Sequence, residues 1–233
     1  MPLFEPRRVP KTEEFLGSDA ATRALSVTVV ENDFVTKVYE NIAWMYDYTF
    51  GPTLHAGRIQ AIQRMGIKTG DRVLEVGVGT GINAGLYPSD SVVTGIDLSE
   101  PMLEKARERV LRKGVSNIRL LAMDAADLKF PDNSFDIVYA PYVISVVPDP
   151  VAVVREMRRV CRRGGRMVIL NHFRGMHPFG AWLDRLISPL TVHIGFKSDL
   201  DLPAFLAQAE LKPVTIEKVN VPRIWSLITC IKE

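Results

Sequence analysis

Residues 73–81 read Val-Leu-Glu-Val-Gly-Val-Gly-Thr-Gly, and they carry the first recognisable chemistry in the chain. An aliphatic run through Glu75 and Val76 predicts a strand. Gly77, Gly79 and Gly81 at alternate positions then let the backbone turn through positive φ and let a ligand touch the main chain. The segment Ile82-Asn83-Ala84-Gly85-Leu86 is expected to start a helix, whose unpaired N–H groups and positive dipole end suit an anionic or polar ligand end. Position 82, where a dinucleotide fingerprint has its third glycine, is Ile82. Asp97 lies 20 positions after Gly77, close to the offset at which an acid binds ribose hydroxyls, so the ligand expected is a nucleoside. Met102 is either a polarizable platform for a flat base or a core residue. Asp124 is either an acceptor for that base's amine or a turn acid.

These residues need a scaffold that brings them to one edge. Helix is expected from about Thr53 to Met65, then the first strand, and a second strand over Ser91 to Ile96 ending at Asp97. Ser99 is a helix N-cap with Pro101 just inside, and Met102 to Val110 continues the helix. Ile118 to Ala122 is a third strand, followed by Asp124 and Ala125. After the turn Pro131-Asp132-Asn133-Ser134, Phe135 to Ala140 is a fourth, with Pro141 and Tyr142 at its carboxyl end. Val151 to Arg163 is helical, Gly164-Gly165 ends it, and Arg166 to Leu170 is a fifth strand leading into Asn171, His172, Phe173, Arg174 and His177. A helix near Asp201 to Ala209 and strands over Val214 to Val219 and Trp225 to Ile231 close the chain. Strands alternating with helices imply an α/β fold with a mostly parallel sheet of seven strands, whose ligands collect at the carboxyl edge.

Two further segments stand out. From Asp33 to Phe50, Phe34, Val35, Val38, Ile42 and Met45 share an arc, with Tyr39 and Tyr46 at its edge, and Gly51-Pro52 is expected to stop this helix. Trp44 falls outside the arc: the helix either packs on the domain with one surface Trp or lies at a lipid headgroup boundary. Residues 174–198 form an insertion in which Phe179, Trp182, Leu183, Leu186 and Ile187 share a face, either a lid or ordinary packing. Arg155, Arg158, Arg159 and Arg162 make a basic stripe that is either a solvated surface or a membrane or partner contact.

Composition sets the bounds. With 233 residues and 47% hydrophobic content, one domain with a full core is expected, and a net charge of +2 argues against wholesale nucleic-acid binding. Two cysteines suggest buried thiols in a reducing compartment, and neither they nor the four histidines have metal-site spacing. No apolar stretch is long enough for a membrane span. The expected organisation is a flexible tail over 1–30, an amphipathic arm over 31–50, and one domain over 51–233.

The pattern Glu75-x-Gly77-x-Gly79-x-Gly81, together with Asp97, Asp124 and extra strands after the fifth, resembles the class I S-adenosylmethionine-dependent methyltransferases. Phe130-Pro131-Asp132-Asn133-Ser134-Phe135-Asp136 and Arg159-Val160 through Gly164-Gly165-Arg166 resemble the subgroup with the ubiquinone and menaquinone methyltransferases, although Arg163 stands where that subgroup usually has proline. Residues 38–51 and Asn171-His172-Phe173 are most similar to the bacterial phosphatidylethanolamine N-methyltransferases of the Rhodobacter type.

That resemblance implies a Rossmann-like fold with helices on both sheet faces. It also implies a monomeric enzyme of the cytoplasm that visits the inner face of the cell membrane and methylates phosphatidylethanolamine stepwise toward phosphatidylcholine. The alternatives are a quinone-type or other small-molecule C-methyltransferase and a non-catalytic membrane-surface binding protein. The cofactor would be S-adenosylmethionine, leaving as S-adenosylhomocysteine, with no metal. Its methionine carboxylate would meet the loop and helix end and its amino group Glu75, and the nucleoside would meet Asp97, Leu98, Met102, Asp124, Ala125 and Ala140, with Tyr46 also touching the cofactor. His172, or Tyr39 through a water, would take the proton an ethanolamine must lose. Rings of Tyr39, Tyr46 and Tyr142 would hold the growing cation, and Asn171, Arg174 and His177 would bind the rest of the lipid head.

Overall fold

The computed structural model describes residues 22–25, 51–173, 200–220 and 224–233. The amphipathic arm over 31–50 and the whole of the insertion over 174–198 therefore lie outside the described residues.

Helix α1 (Gly51–Arg64) opens the described domain, with Pro52 in its first turn. A proline there lacks only an N–H that has no partner inside a helix, so the Gly51-Pro52 pair suits the start of this one, two residues before the expected Thr53; the helix it was expected to stop lies outside the described residues. Strand β1 (Arg72–Val76) leads into the glycine-rich loop, and β2 (Val92–Asp97), α2 (Glu100–Arg112), β3 (Ile118–Ala122) and β4 (Phe135–Pro141) follow. Helix α3 (Pro150–Val160) runs into β5 (Cys161–His172), and α4 (Leu202–Gln208), β6 (Pro213–Val219) and β7 (Trp225–Ile231) complete the order. Ser99 caps α2 by accepting from Met102 N, and Asp149 and Asp201 cap α3 and α4, each followed by proline in the first turn.

All seven strands form one sheet in the order β3-β2-β1-β4-β5-β7-β6. Strands β1 to β5 pair in parallel, and β7 is antiparallel to both neighbours. Alternate side chains go to opposite faces. Leu74, Val138, Ala140, Met167 and Ile169 pack with Val153, Val154 and Met157 of α3 and Phe205 of α4. Val73, Ile137, Tyr139, Val168 and Leu170 pack with Ala61 and Ile62 of α1 and with Met65 just after it. Helices thus cover both faces, which is why the central strands are apolar at nearly every position.

The fifth strand begins earlier than its sequence suggests. Residues 161–165, expected as a helix end, pair as strand, with Cys161 beside Phe135 and a register shift before Ile137 meets Arg166. The chain's end holds this stretch: Gly164 N donates to Lys232 O at 2.8 Å and Lys232 N to Gly165 O at 3.0 Å. Residues 22–25, placed by sequence in the tail, are also fastened, since Asp201 N donates to Leu25 O and Gln208 Nε2 to Arg23 O.

Candidate functional site

At the carboxyl edge of β1 to β4 lies a cleft of about 960 Å³, counted to its open mouth. Its wall begins with the loop. Val78 N donates to Ile96 O at 2.9 Å, Gly79 N to Asp97 Oδ2 at 2.8 Å, and Gly81 N to Val78 O at 3.0 Å, so three loop amides hold the loop to β2 and to itself. Gly77 has φ 71°, and a Cβ there would lie 2.7 Å from Val143 Cγ2. Gly81 has φ 72° and lets the loop press on α2, where a Cβ would stand 3.0 Å from the Ala106 methyl. Both positions exclude larger residues through backbone and packing together.

No α-helix follows the loop. The chain takes turns and then a single 3-10 turn, Ala84–Leu86. Gly81, Gly85 and Pro88 lie too close together for the helix expected from this segment, so the helix dipole proposed for the ligand's anionic end is replaced by a turn.

Asp97 lines the cleft and is the pivot of the loop. Its Oδ1 accepts from Ser99 N at 3.0 Å and its Oδ2 from Gly79 N. Burial raises its pKa against the opposing effect of those backbone N–H groups. Each carboxylate oxygen accepts in more than one direction, so vicinal hydroxyls can bind beside the backbone donors. Leu98, Met102, Met123, Asp124 and Ala125 continue the wall, and Asp124 also turns the chain by accepting from Ala126 N at 2.8 Å. Gly77, Gly79, Asp97, Leu98, Met102, Asp124, Ala125 and Tyr142 thus come together around one cleft.

Glu75, Gly81 and Ala140 do not line it. Glu75 is 0% exposed, and its carboxylate accepts from Asn83 Nδ2 and Tyr87 Oη, both at 2.6 Å. Burial pushes its pKa up to about 7, opposed by Tyr87, Arg58 and Asn83. Its acid therefore fastens the underside of the loop. Ala140 is fully buried in the core. Asn171 is also fully buried; its Oδ1 accepts from Ser145 Oγ at 3.2 Å and its Nδ2 donates to His172 O at 2.6 Å. His172 ends β5 with its ring edge-on to Trp225, centroids 6.3 Å apart, and is not among the lining residues. Tyr39, Tyr46, Arg174 and His177 lie outside the described residues.

One lining residue went unnoticed in the sequence. Arg58 of α1 is 5% exposed, faces the cleft, and places its guanidinium carbon 4.9 Å from the centre of the Tyr142 ring. Tyr142 takes φ 61°, rare for an aromatic residue, and is held there by its hydroxyl, which donates to Leu54 O at 3.0 Å and accepts from Asn220 Nδ2 at 2.9 Å. The signal for Arg58 was present: it shares the apolar face of Leu54, Ala61 and Ile62 of α1, continued by Met65, where a charge has no place without a partner or ligand.

A methyltransferase-domain family matches residues 74–169. The chain is 41% identical over 187 residues to a phosphatidylethanolamine N-methyltransferase of Cereibacter sphaeroides, a match covering 79% of this chain and 91% of that protein. It belongs to the class I S-adenosylmethionine-dependent methyltransferases. This methyltransferase is also 35% identical over 153 residues to a demethylmenaquinone methyltransferase of Listeria monocytogenes, covering 62% of this chain and 65% of the relative. Among solved structures it is similar to phosphoethanolamine N-methyltransferase 2 of Haemonchus contortus in complex with phosphomonomethylethanolamine and S-adenosylhomocysteine. The TM-score is 0.62 at 26% identity, covering 78% of this chain and 44% of that one.

The residues fit the cofactor. A buried acid at the end of β2, a loop of three positive-φ glycines and a methionine beside the acid suit a sulfonium nucleoside without phosphate. Among the described residues no group of His, Cys, Asp and Glu is placed to hold a metal ion. No described helix is long and apolar enough to cross a membrane.

Proposed function

We propose that this methyltransferase methylates the amine of phosphatidylethanolamine, and then its mono- and dimethyl forms, toward phosphatidylcholine at the inner membrane surface. The observation that carries this reading is the 41% identity over 91% of the Cereibacter sphaeroides phosphatidylethanolamine enzyme. The quinone relatives match a smaller share of both chains, which makes a C-methyltransferase the second reading.

When bound, the cofactor supplies a methyl carbon made electrophilic by its sulfonium. The protein's part is to hold the acceptor amine in line with that carbon and to keep water out. The Gly77–Gly81 loop and Asp97 fix the nucleoside, and Pro141, Tyr142 and Val143 wall the cleft beside them. A protonated ethanolamine must first lose a proton, to His172 or, through a water, to Tyr39. His172 packs on Trp225 away from the lining, which favours Tyr39. Arg58 already covers one face of Tyr142, so the cationic head group falls first to Tyr39 and Tyr46. Arg174 and His177 serve the lipid phosphate and glycerol end, Asn171 being committed to Ser145 and the His172 carbonyl, and the 31–50 arm brings the enzyme to the bilayer.

Purified protein with methyl-labelled S-adenosylmethionine and phosphatidylethanolamine liposomes is expected to place label in the mono-, di- and trimethylated lipids. Label in a demethylquinone extract alone supports the second reading. Label in no lipid amine overturns the first.

A further inference from the structure

We propose that Arg58 binds the amino-acid carboxylate of the cofactor, the role that sequence assigned to the loop and the helix after it. The inference rests on the use of S-adenosylmethionine and goes beyond it by naming the residue that receives the ligand's anionic end.

The sheet itself sets the order of the subsites. Asp124 follows β3, Asp97 ends β2, the Gly77–Gly81 loop follows β1, and Tyr142 follows β4. These strands are successive neighbours, and at roughly 4.8 Å per strand the three gaps span about 14 Å. A nucleoside whose ribose meets Asp97 and whose base lies toward Met102 and Asp124 must extend its other end across β1 toward β4. Arg58 stands there, over the Tyr142 ring.

Charge gives the same direction. Of the described residues lining the cleft, Arg58 is the sole cation, while Asp97 and Asp124 supply the acids at the nucleoside end. The alternative receptor for a carboxylate is reduced: a three-residue 3-10 turn replaces the helix, and the amides of Val78, Gly79 and Gly81 donate to protein oxygens. The guanidinium carbon lies 4.9 Å from the centre of the Tyr142 ring, and a guanidinium carries five N–H donors, so a ring contact and a planar carboxylate contact are compatible. The backbone geometry keeps the ring in place, since Tyr142 is tied to Leu54 one turn before Arg58 and to Asn220. Gly57 permits that approach, because a Cβ there would lie 2.4 Å from Asn220 Oδ1.

The test compares two ligands that share nucleoside and sulfur. S-adenosylhomocysteine carries the amino acid; 5′-methylthioadenosine does not. Calorimetric titration of the wild-type chain, Arg58→Met and Arg58→Lys is expected to show S-adenosylhomocysteine affinity falling about tenfold to a hundredfold in Arg58→Met and less in Arg58→Lys. Affinity for 5′-methylthioadenosine should stay within about twofold throughout, which also reports that each variant is folded. If Arg58→Met does not fold, the same contrast is read in Arg58→Lys, which keeps the charge and loses the planar fork. Equal losses for both ligands, or no loss for either, overturn the proposal. A wild-type chain that binds neither ligand removes the cofactor assignment and this inference with it, a result distinct from failure to methylate a lipid.

Discussion

Tyr87 donates a hydrogen bond of 2.6 Å to Glu75, and both side chains are buried beneath the glycine-rich loop. The acid named in the loop motif thus holds the loop from below, with Asn83 as its second donor. Arg58, Tyr139 and Asp97 are the charged and titratable groups around this pair.

That arrangement has a pH signature. Burial pushes Glu75 from 4.5 up to about 7. Below the lower value the native and unfolded chains both hold the proton; between the two only the native chain does. Stability from this group is therefore full below about pH 4.5 and is lost as pH rises through 7, a change of about 3 kcal/mol. Glu75→Gln removes the titration and keeps an acceptor. Urea unfolding at pH 5 and pH 8 is expected to show wild-type stability falling by about 2–3 kcal/mol more than that of the variant. Parallel pH profiles count against it.

Asp97 holds the loop with the same two oxygens that are proposed to meet the ribose. Asp97→Ala removes the ribose acceptor and also releases Gly79 N and Ser99 N, so cofactor affinity is expected to fall by at least about 1.5–3 kcal/mol. Unchanged S-adenosylhomocysteine affinity shows that the ribose lies elsewhere.

Three arginines of the basic stripe, Arg158 and Arg159 of α3 and Arg162 of β5, are engaged by partners within the fold. Arg159 donates to Leu128 O, Phe130 O, Asp132 and Glu156, Arg158 to Ala209 O and Glu210, and Arg162 to Asp136. Arg159→Met is expected to lower stability by about 2–3 kcal/mol, because two carbonyls and two acids lose a charged donor, and to leave liposome sedimentation as it was. Trp44→Ala is expected to reduce sedimentation and leave cofactor affinity alone. The opposite pattern places the membrane face on α3.

The parallel strands and Asp97 were legible because they depend on local alternation, caps and a fixed loop-to-acid spacing. The 3-10 turn was not, since Ile82 through Leu86 is compatible with helix until Gly81, Gly85 and Pro88 are weighed together. Cys161 through Gly165 were read as a helix end because their partners, Phe135 and Lys232, are distant in sequence. His172 and Asn171 were read by position at a strand end, yet side-chain direction depends on β7 and Ser145, which one strand's pattern does not contain. Arg58 shows in sequence only as a charge on an apolar helix face, and what it meets, Tyr142 and the cleft, comes from a distant strand end.

One oxygen, the Tyr142 hydroxyl, fastens three distant parts of the chain: the strand end that walls the cleft, the helix at Leu54, and the β6 end at Asn220. Every described residue lining the cleft lies between Arg58 and Val147. During synthesis the whole lining therefore leaves the ribosome well before the amide that steadies its aromatic wall. A nascent or truncated chain ending before Asn220 carries the binding residues in an unfinished enclosure.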